Sequence, residues 1–202
     1  MKIFCIGRNY ADHAKELKND LPEEPMIFMK PSTALVIDGK PFYHPAFSEK
    51  IHHELEIVLK ISKNGKHISP EFASGYYEEV GLGIDFTARD LQEKLKGKGH
   101  PWELAKAFDQ SAILGDFIPK TETDLSGIEI KLLKNGEVQQ QGNSRDMIFD
   151  FDTLIVYISK FFTLQKGDLI YTGTPPGVSK VEIGDALEGF LGERKLLHCE
   201  VK

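Results

Sequence analysis

ELEIVLKI, residues 54–61, is the stretch whose reading decides the fold. It is rich in Leu, Ile and Val, the composition of a β-strand. A second run, VGLGIDF at 80–86, is apolar except for one carboxylate near its end and reads as a buried strand carrying Gly81 and Gly83. Outward from these, Lys2 to Ile6, Met26 to Met29, Ala34 to Ile37 and Asp168 to Tyr171 read as further strands. Ile128 to Leu133, then KNGE, then Val138 onward predicts a hairpin closed by an Asn-Gly turn. DALEGFLGERKLLHCEVK, residues 185–202, predicts a second hairpin. Helices are fewer: a short polar one over Asn9 to Lys18, one over Pro70 to Tyr77, and one from near Thr87 to about Leu95. The last, Phe151 to Phe161, places Leu154, Ile155, Ile158 and Phe162 at helical spacing. The sum is a mixed α/β, β-rich chain with peripheral helices, organised as one domain over residues 1–202.

A chain of 202 residues can bury a real core without staples. Its 41% apolar and 28% charged residues are ordinary for a globular protein. A net charge of -6 argues against a nucleic-acid binder with a broad basic face. It leaves an anionic substrate open, because a local field can oppose the net charge. Cys5 and Cys199 form no disulfide framework and read as two buried thiols of a reducing cytosol. No apolar run approaches the ~18 residues of a membrane span. Polar residues interrupt MKIFCIGRNY too early for a signal peptide, which leaves the cytoplasm as the expected location. The acidic stretch NDLPEEP, 19–25, reads as an exposed, mobile connector. KLKGKGHPW, 94–102, reads as a loop whose lysines are solvated surface.

The chemistry begins at HHELE, 52–56. Glu54 and Glu56 are two apart on a strand, so they leave the same face. Burying two like charges is costly, and a hard divalent cation resolves the conflict; a solvent-facing pair on an amphipathic strand is the alternative. Asp85, at the end of an apolar strand, is either a third oxygen ligand or a cap for the next helix, as is Thr87 for the cap. All-carboxylate donors favour Mg²⁺, Mn²⁺ or Ca²⁺ over zinc. His13 and Glu16, in DHAKE, are spaced i, i+3, a workable general-base dyad or a mixed-charge surface helix. Lys106 lies among apolar residues in ELAKAFDQ, either snorkelling at the surface or facing an anionic substrate. Arg89 and Gln92, also i, i+3, could orient a carboxylate. TGTPPG offers the hydroxyls of Thr172 and Thr174 beside a stiff turn.

The motifs GRNYADHAKE, FMKPSTA, HHELE, GIDFTARDLQ, PWELAKAFD and YTGTPPGV, in that order, resemble the fumarylacetoacetate hydrolase family from Gly7 to about Val178. Length and the GRNYADHAKE start are similar to its acylpyruvase and oxaloacetate decarboxylase branch. The resemblance implies a β-roll, like that family's C-terminal domain, with peripheral helices, a homodimer, and Mg²⁺ or Mn²⁺ as cofactor. It implies Glu54, Glu56 and Asp85 as metal ligands, and His13 and Glu16 as the catalytic dyad on a mobile lid over about 9–25. Lys106, Gln92 and Thr174 would bind substrate, Lys106 also stabilising the developing oxyanion, and Arg89 fits the family pattern. The implied activity is cleavage of small 2-oxo acids through a pyruvate enolate, by acylpyruvate hydrolysis or oxaloacetate decarboxylation. The rivals are an isomerase or decarboxylase of longer dicarboxylates in aromatic catabolism, and a non-catalytic metal-binding domain.

Overall fold

The computed structural model describes residues 1–12, 20–37 and 39–202. Its strands in chain order are β1 (Ile3–Gly7), β2 (Met26–Lys30), β3 (Leu35–Val36), β4 (Ile51–His53), β5 (Leu55–Ile61), β6 (Tyr77–Asp85) and β7 (Thr87–Ala88). They continue with β8 (Ala112–Pro119), β9 (Glu129–Lys134), β10 (Glu137–Asn143), β11 (Leu169–Tyr171), β12 (Ser179–Lys180), β13 (Ala186–Leu191) and β14 (Arg194–Glu200). The α-helices that lie wholly within the described residues are α1 (Pro70–Ala73), α2 (Arg89–Lys98), α3 (Glu103–Lys106) and α4 (Phe151–Phe161). A mixed seven-stranded sheet, β2-β1-β11-β5-β6-β8-β3, is the centre; β10-β9-β13-β14 and β12-β4-β7 form two smaller sheets.

Both faces of the central sheet are buried, and the period-2 alternation of strands sorts its residues between them. Phe4 and Ile6 of β1 enter the larger core, while Ile3 and Cys5 enter a smaller one. On β5, Leu55, Ile57, Leu59 and Ile61 face the larger core and Val58 the smaller. Glu56 therefore shares the face of Val58. On β6, Val80, Leu82 and Ile84 face the larger core, which puts Gly81, Gly83 and Asp85 on the face of Glu56. Gly83 must be glycine: a Cβ there would lie 2.4 Å from the Tyr171 ring. That ring is tied down by its hydroxyl, which donates to the Ile113 carbonyl at 2.9 Å.

Helix α4 follows the residues predicted for it. Asp150 caps it by accepting from the Thr153 amide at 2.8 Å, and Leu154, Ile155 and Ile158 pack into the larger core. The Asn-Gly hairpin also forms, with φ of 54° at Asn135 and 83° at Gly136, the two positive values a type I′ turn demands. The predicted C-terminal hairpin is β13–β14. Other expectations need correction. Residues 70–77 give only the single turn α1, followed by a 3-10 turn over Ser74–Tyr76. The helix expected from Thr87 starts at Arg89 and runs on to Lys98. Half of the expected 94–102 loop is thus helical, ended by Gly99 at φ 65°. Most of the helix expected over Asn9 to Lys18 lies outside the described residues, as do His13 and Glu16.

Candidate metal centre and anion pocket

Glu54 is not inside a continuous strand, as the reading of 54–61 had it. It is the joint between β4, in the three-stranded sheet, and β5, in the central sheet. Its carbonyl accepts from the Asp85 amide at 2.9 Å. The next amide, of Leu55, donates to Gln140 Oε1 at 2.9 Å. Gln140 is itself fully buried, and its Nε2 donates to Thr174 Oγ1 at 2.8 Å and to the Pro175 carbonyl at 2.9 Å. One glutamine thus holds the strand joint against the TGTPPG loop. The sequence offered no signal for it, because it sits in an unremarked polar run, VQQQ.

The joint brings Glu54, Glu56 and Asp85 together. Each offers a carboxylate oxygen, and these oxygens lie within 4.8 Å of one another. Glu54 is 5% exposed and Glu56 1%, which removes the solvent-facing alternative. Asp85 is no helix cap either: the N-cap of α2 is Ala88, with no side-chain cap hydrogen bond. Lys106 is 3% exposed, so it does not snorkel; its Nζ donates to Glu54 Oε2 and Asp85 Oδ2, both at 2.7 Å. Arg89 reaches Glu54 Oε1 at 2.6 Å and Gln92 Oε1 at 2.7 Å. Lys30, in the FMKPSTA motif, was given no role by the sequence reading. Its ammonium lies 2.8 Å from Asp85 Oδ1 and also bonds the Lys106 carbonyl and Ser111 Oγ, which fixes α3 beneath the triad.

Glu56 is treated differently. Its Oε2 accepts from the Gly173 amide at 2.6 Å, a neutral donor. Gly173 has a φ of 105°, and a Cβ there would meet the Asn9 side chain at 2.7 Å, so only glycine presents this amide. Asn9 in turn is fully buried and bonds the Thr172 carbonyl at 2.8 Å. Burial pushes the Glu56 carboxyl well above the usual carboxylate range, with Asp85 and Glu54 adding to the shift. Burial pulls the Lys106 ammonium down, but Asp85 and Glu54 outweigh it and the net shift is upward. A hard dication among these oxygens would favour the charged form of Glu56. The donor set therefore fits Mg²⁺ or Mn²⁺.

Glu54, Glu56, Arg89, Gln92 and Lys106 line one cavity together with Thr174, whose hydroxyl is committed to the Leu55 carbonyl at 2.8 Å. Arg89 Nε is buried with no partner among the described residues, a donor left for an anion. Lys96 lines the cavity too. This corrects the reading of 94–102 as solvated: Lys94 and Lys98 are exposed, but Lys96 is half-buried and turned inward.

The model of the fumarylacetoacetate (FAA) hydrolase C-terminal family matches residues 2–202. The chain belongs to the fumarylacetoacetate hydrolase family. Within it, the chain is 43% identical over 201 residues to the mitochondrial oxaloacetate tautomerase FAHD1 of Mus musculus, covering 99% of this chain and 91% of that one. A fumarylacetoacetate hydrolase family protein of Yersinia pestis CO92 superposes with a TM-score of 0.96 at 40% identity, over 100% of this chain and 93% of the other. Fumarylpyruvate hydrolase from Pseudomonas aeruginosa, solved in complex with Mn²⁺ and pyruvate, gives 0.93 at 35% identity, over 100% and 89%. The mixed, β-rich fold expected from the resemblance is the fold found.

Proposed function

We propose that this protein is a Mg²⁺- or Mn²⁺-dependent enzyme that cleaves small 2-oxo acids, by acylpyruvate hydrolysis, oxaloacetate decarboxylation or both. The observation that carries the reading is the buried Glu54, Glu56 and Asp85 triad with Lys106 and Arg89 set at its rim. Mg²⁺ or Mn²⁺, held by those three carboxylates, supplies Lewis acidity toward the keto oxygen of a 2-oxo acid. Arg89, with its unpartnered Nε, and Gln92 orient the substrate's carboxylate. Lys106 supplies a buried positive charge for the oxygen on which negative charge builds, usually a large term in catalysis. Thr174 lines the cavity beside them. His13 and Glu16, on the segment 9–25, are the proposed general-base dyad, taking a proton from water during hydrolysis.

The names borne by the relatives support this substrate class: one is an oxaloacetate tautomerase, and another a fumarylpyruvate hydrolase seen with pyruvate. The test is turnover of acetylpyruvate, oxaloacetate and a seven-carbon 2-oxo dicarboxylate, with Mg²⁺ or Mn²⁺ and after chelation. Metal-dependent turnover of the small acids supports the reading. Turnover of the long dicarboxylate alone replaces it with the isomerase reading, and full activity in chelator removes the metal. We also propose a homodimer, which sedimentation tests, and a cytoplasmic location, in keeping with the free, buried thiols of Cys5 and Cys199.

A further inference from the structure

The positive charge around the cavity does not end with the residues that pair with carboxylates. Arg8 and Lys96 line it as well. Both are half-buried, and neither side chain makes a hydrogen bond or ion pair with a described residue. The Lys96 ammonium lies over the Trp102 ring, 5.1 Å from its centroid, in a cation–π contact. Burial, then the charges of Arg8, Arg89 and Lys106, pull Lys96 down to about 8, with Glu54 opposing. The position of Lys96 is set by its helix. Arg89, Gln92 and Lys96 follow i, i+3, i+7 along α2 and form one stripe. Side chains on a helix lean toward its N-terminus, so Lys96 reaches back over the turn of Gln92 toward Arg89. Arg8 is held at a φ of 59°, a left-handed conformation that a side chain with a Cβ adopts only at a cost. Two cations without carboxylate partners among the described residues, brought together in a cavity read above as taking one anionic head, call for a second anion.

We propose that Lys96, with Arg8 beside it, binds the distal carboxylate of a 2-oxo dicarboxylic acid and so selects such substrates over acylpyruvates with an uncharged tail. This rests on the reading above, in which the 2-oxo carboxylate head sits against Arg89, Gln92 and the triad. The distal carboxylate would take the ammonium from its place over the Trp102 ring. Lys94 and Lys98, exposed on the same helix, have no such role and serve as internal controls.

The experiment compares wild type, Lys96→Met, Lys96→Arg and Lys94→Met, all loaded with Mn²⁺ and checked by thermal melting. Calorimetry measures binding of L-malate and L-lactate, which share a 2-hydroxy carboxylate head and differ in the second carboxylate. Wild type should prefer malate, and Lys96→Met should lower that preference about tenfold or more, the scale of one hydrogen bond between charged groups. Lys96→Arg should restore most of it, and Lys94→Met should leave it alone. In kinetics, the ratio of kcat/KM for oxaloacetate over acetylpyruvate should fall similarly in Lys96→Met, through KM for oxaloacetate. The proposal is overturned if wild type binds malate no better than lactate, or if Lys96→Met leaves the preference intact. If wild type turns over neither 2-oxo acid, the proposed reaction fails, while the malate and lactate titrations still decide the role of Lys96.

Discussion

Glu56 is the carboxylate of the triad whose one hydrogen-bond partner among the described residues is neutral, the Gly173 amide. It has the most to gain from a dication. We expect Glu56→Ala to weaken Mn²⁺ binding about a hundredfold or more, since even groups behind a ligand cost 10–100-fold. The variant should stay folded in chelator, because it loses a buried like charge. Titration with Mn²⁺ checks this, and unchanged affinity would take Glu56 out of the ligand set. His13→Ala should lower kcat for acetylpyruvate about a hundredfold, the scale of a lost general base, with Mn²⁺ affinity kept; undiminished hydrolysis would exclude His13. Glu56 and Asp85 were legible because each breaks an apolar run, and Glu54 through its spacing of two from Glu56, while the family resemblance joined the three into one ligand set. Lys96 was not legible. Its neighbours are lysines and glycines, and composition alone cannot separate one inward lysine from two solvated ones. Gln140 was hidden for the same reason, its role arising only where a hairpin strand meets the strand joint at Glu54.

At the level of elements, β11, β5 and β6 lie side by side in the central sheet, and Gly83 on β6 leaves room for the Tyr171 ring of β11. Gly83→Ala puts a methyl group into that ring and within 2.8 Å of the Ile113 carbonyl. We expect a loss of roughly 1–3 kcal/mol from overpacking, read from urea denaturation. An unchanged midpoint would show that the ring gives way freely. The small sheet containing β4 has a pH signature. His53 is fully buried between Gln140 Oε1 at 2.9 Å and Ser179 Oγ at 2.8 Å. Burial lowers it from 6.5 to about 4, against the raising effect of the Gln140 hydrogen bond. The folded state binds fewer protons than the unfolded one in this window. The contribution of His53 is therefore complete above pH 6.5 and is lost as pH falls from 6.5 to about 4. His53→Gln should flatten this part of the stability profile, and an unchanged acid limb would assign the loss to other groups. Strongly periodic elements such as β5, α4 and the Asn-Gly hairpin could be read in advance. β8 could not: AILGDFIP carries Gly115, Asp116 and Pro119, turn residues by composition, and becomes a strand only because β6 and β3 flank it.

Over the whole molecule, the proposed ion binding should be linked to folding, because the three carboxylates meet only in the folded chain. Free Mn²⁺ at a hundred times its dissociation constant should add about 2.7 kcal/mol and raise the melting temperature by roughly 5–10 °C. The shift should vanish in Glu56→Ala, and a wild-type melt indifferent to Mn²⁺ would contradict the linkage. The β-rich class could be read from the chain, but the strand order could not, since nothing local says that residue 3 lies beside residue 169. That pairing has a further consequence. β1 lies between β2 and β11, parallel to β11, with Ile3 against Leu169 and Cys5 against Tyr171. During synthesis β1 must therefore wait for β11, which lies in the last fifth of the 202 residues. At ordinary translation rates of about 5–20 residues per second, the delay is roughly 8–30 seconds. Until then the β2–β1 hairpin has a bare edge bearing Phe4 and Ile6. That edge should stay exposed throughout the interval, and the site closes late, because Gly173 and Thr174, which bond Glu56 and the Leu55 carbonyl, follow β11 in the chain.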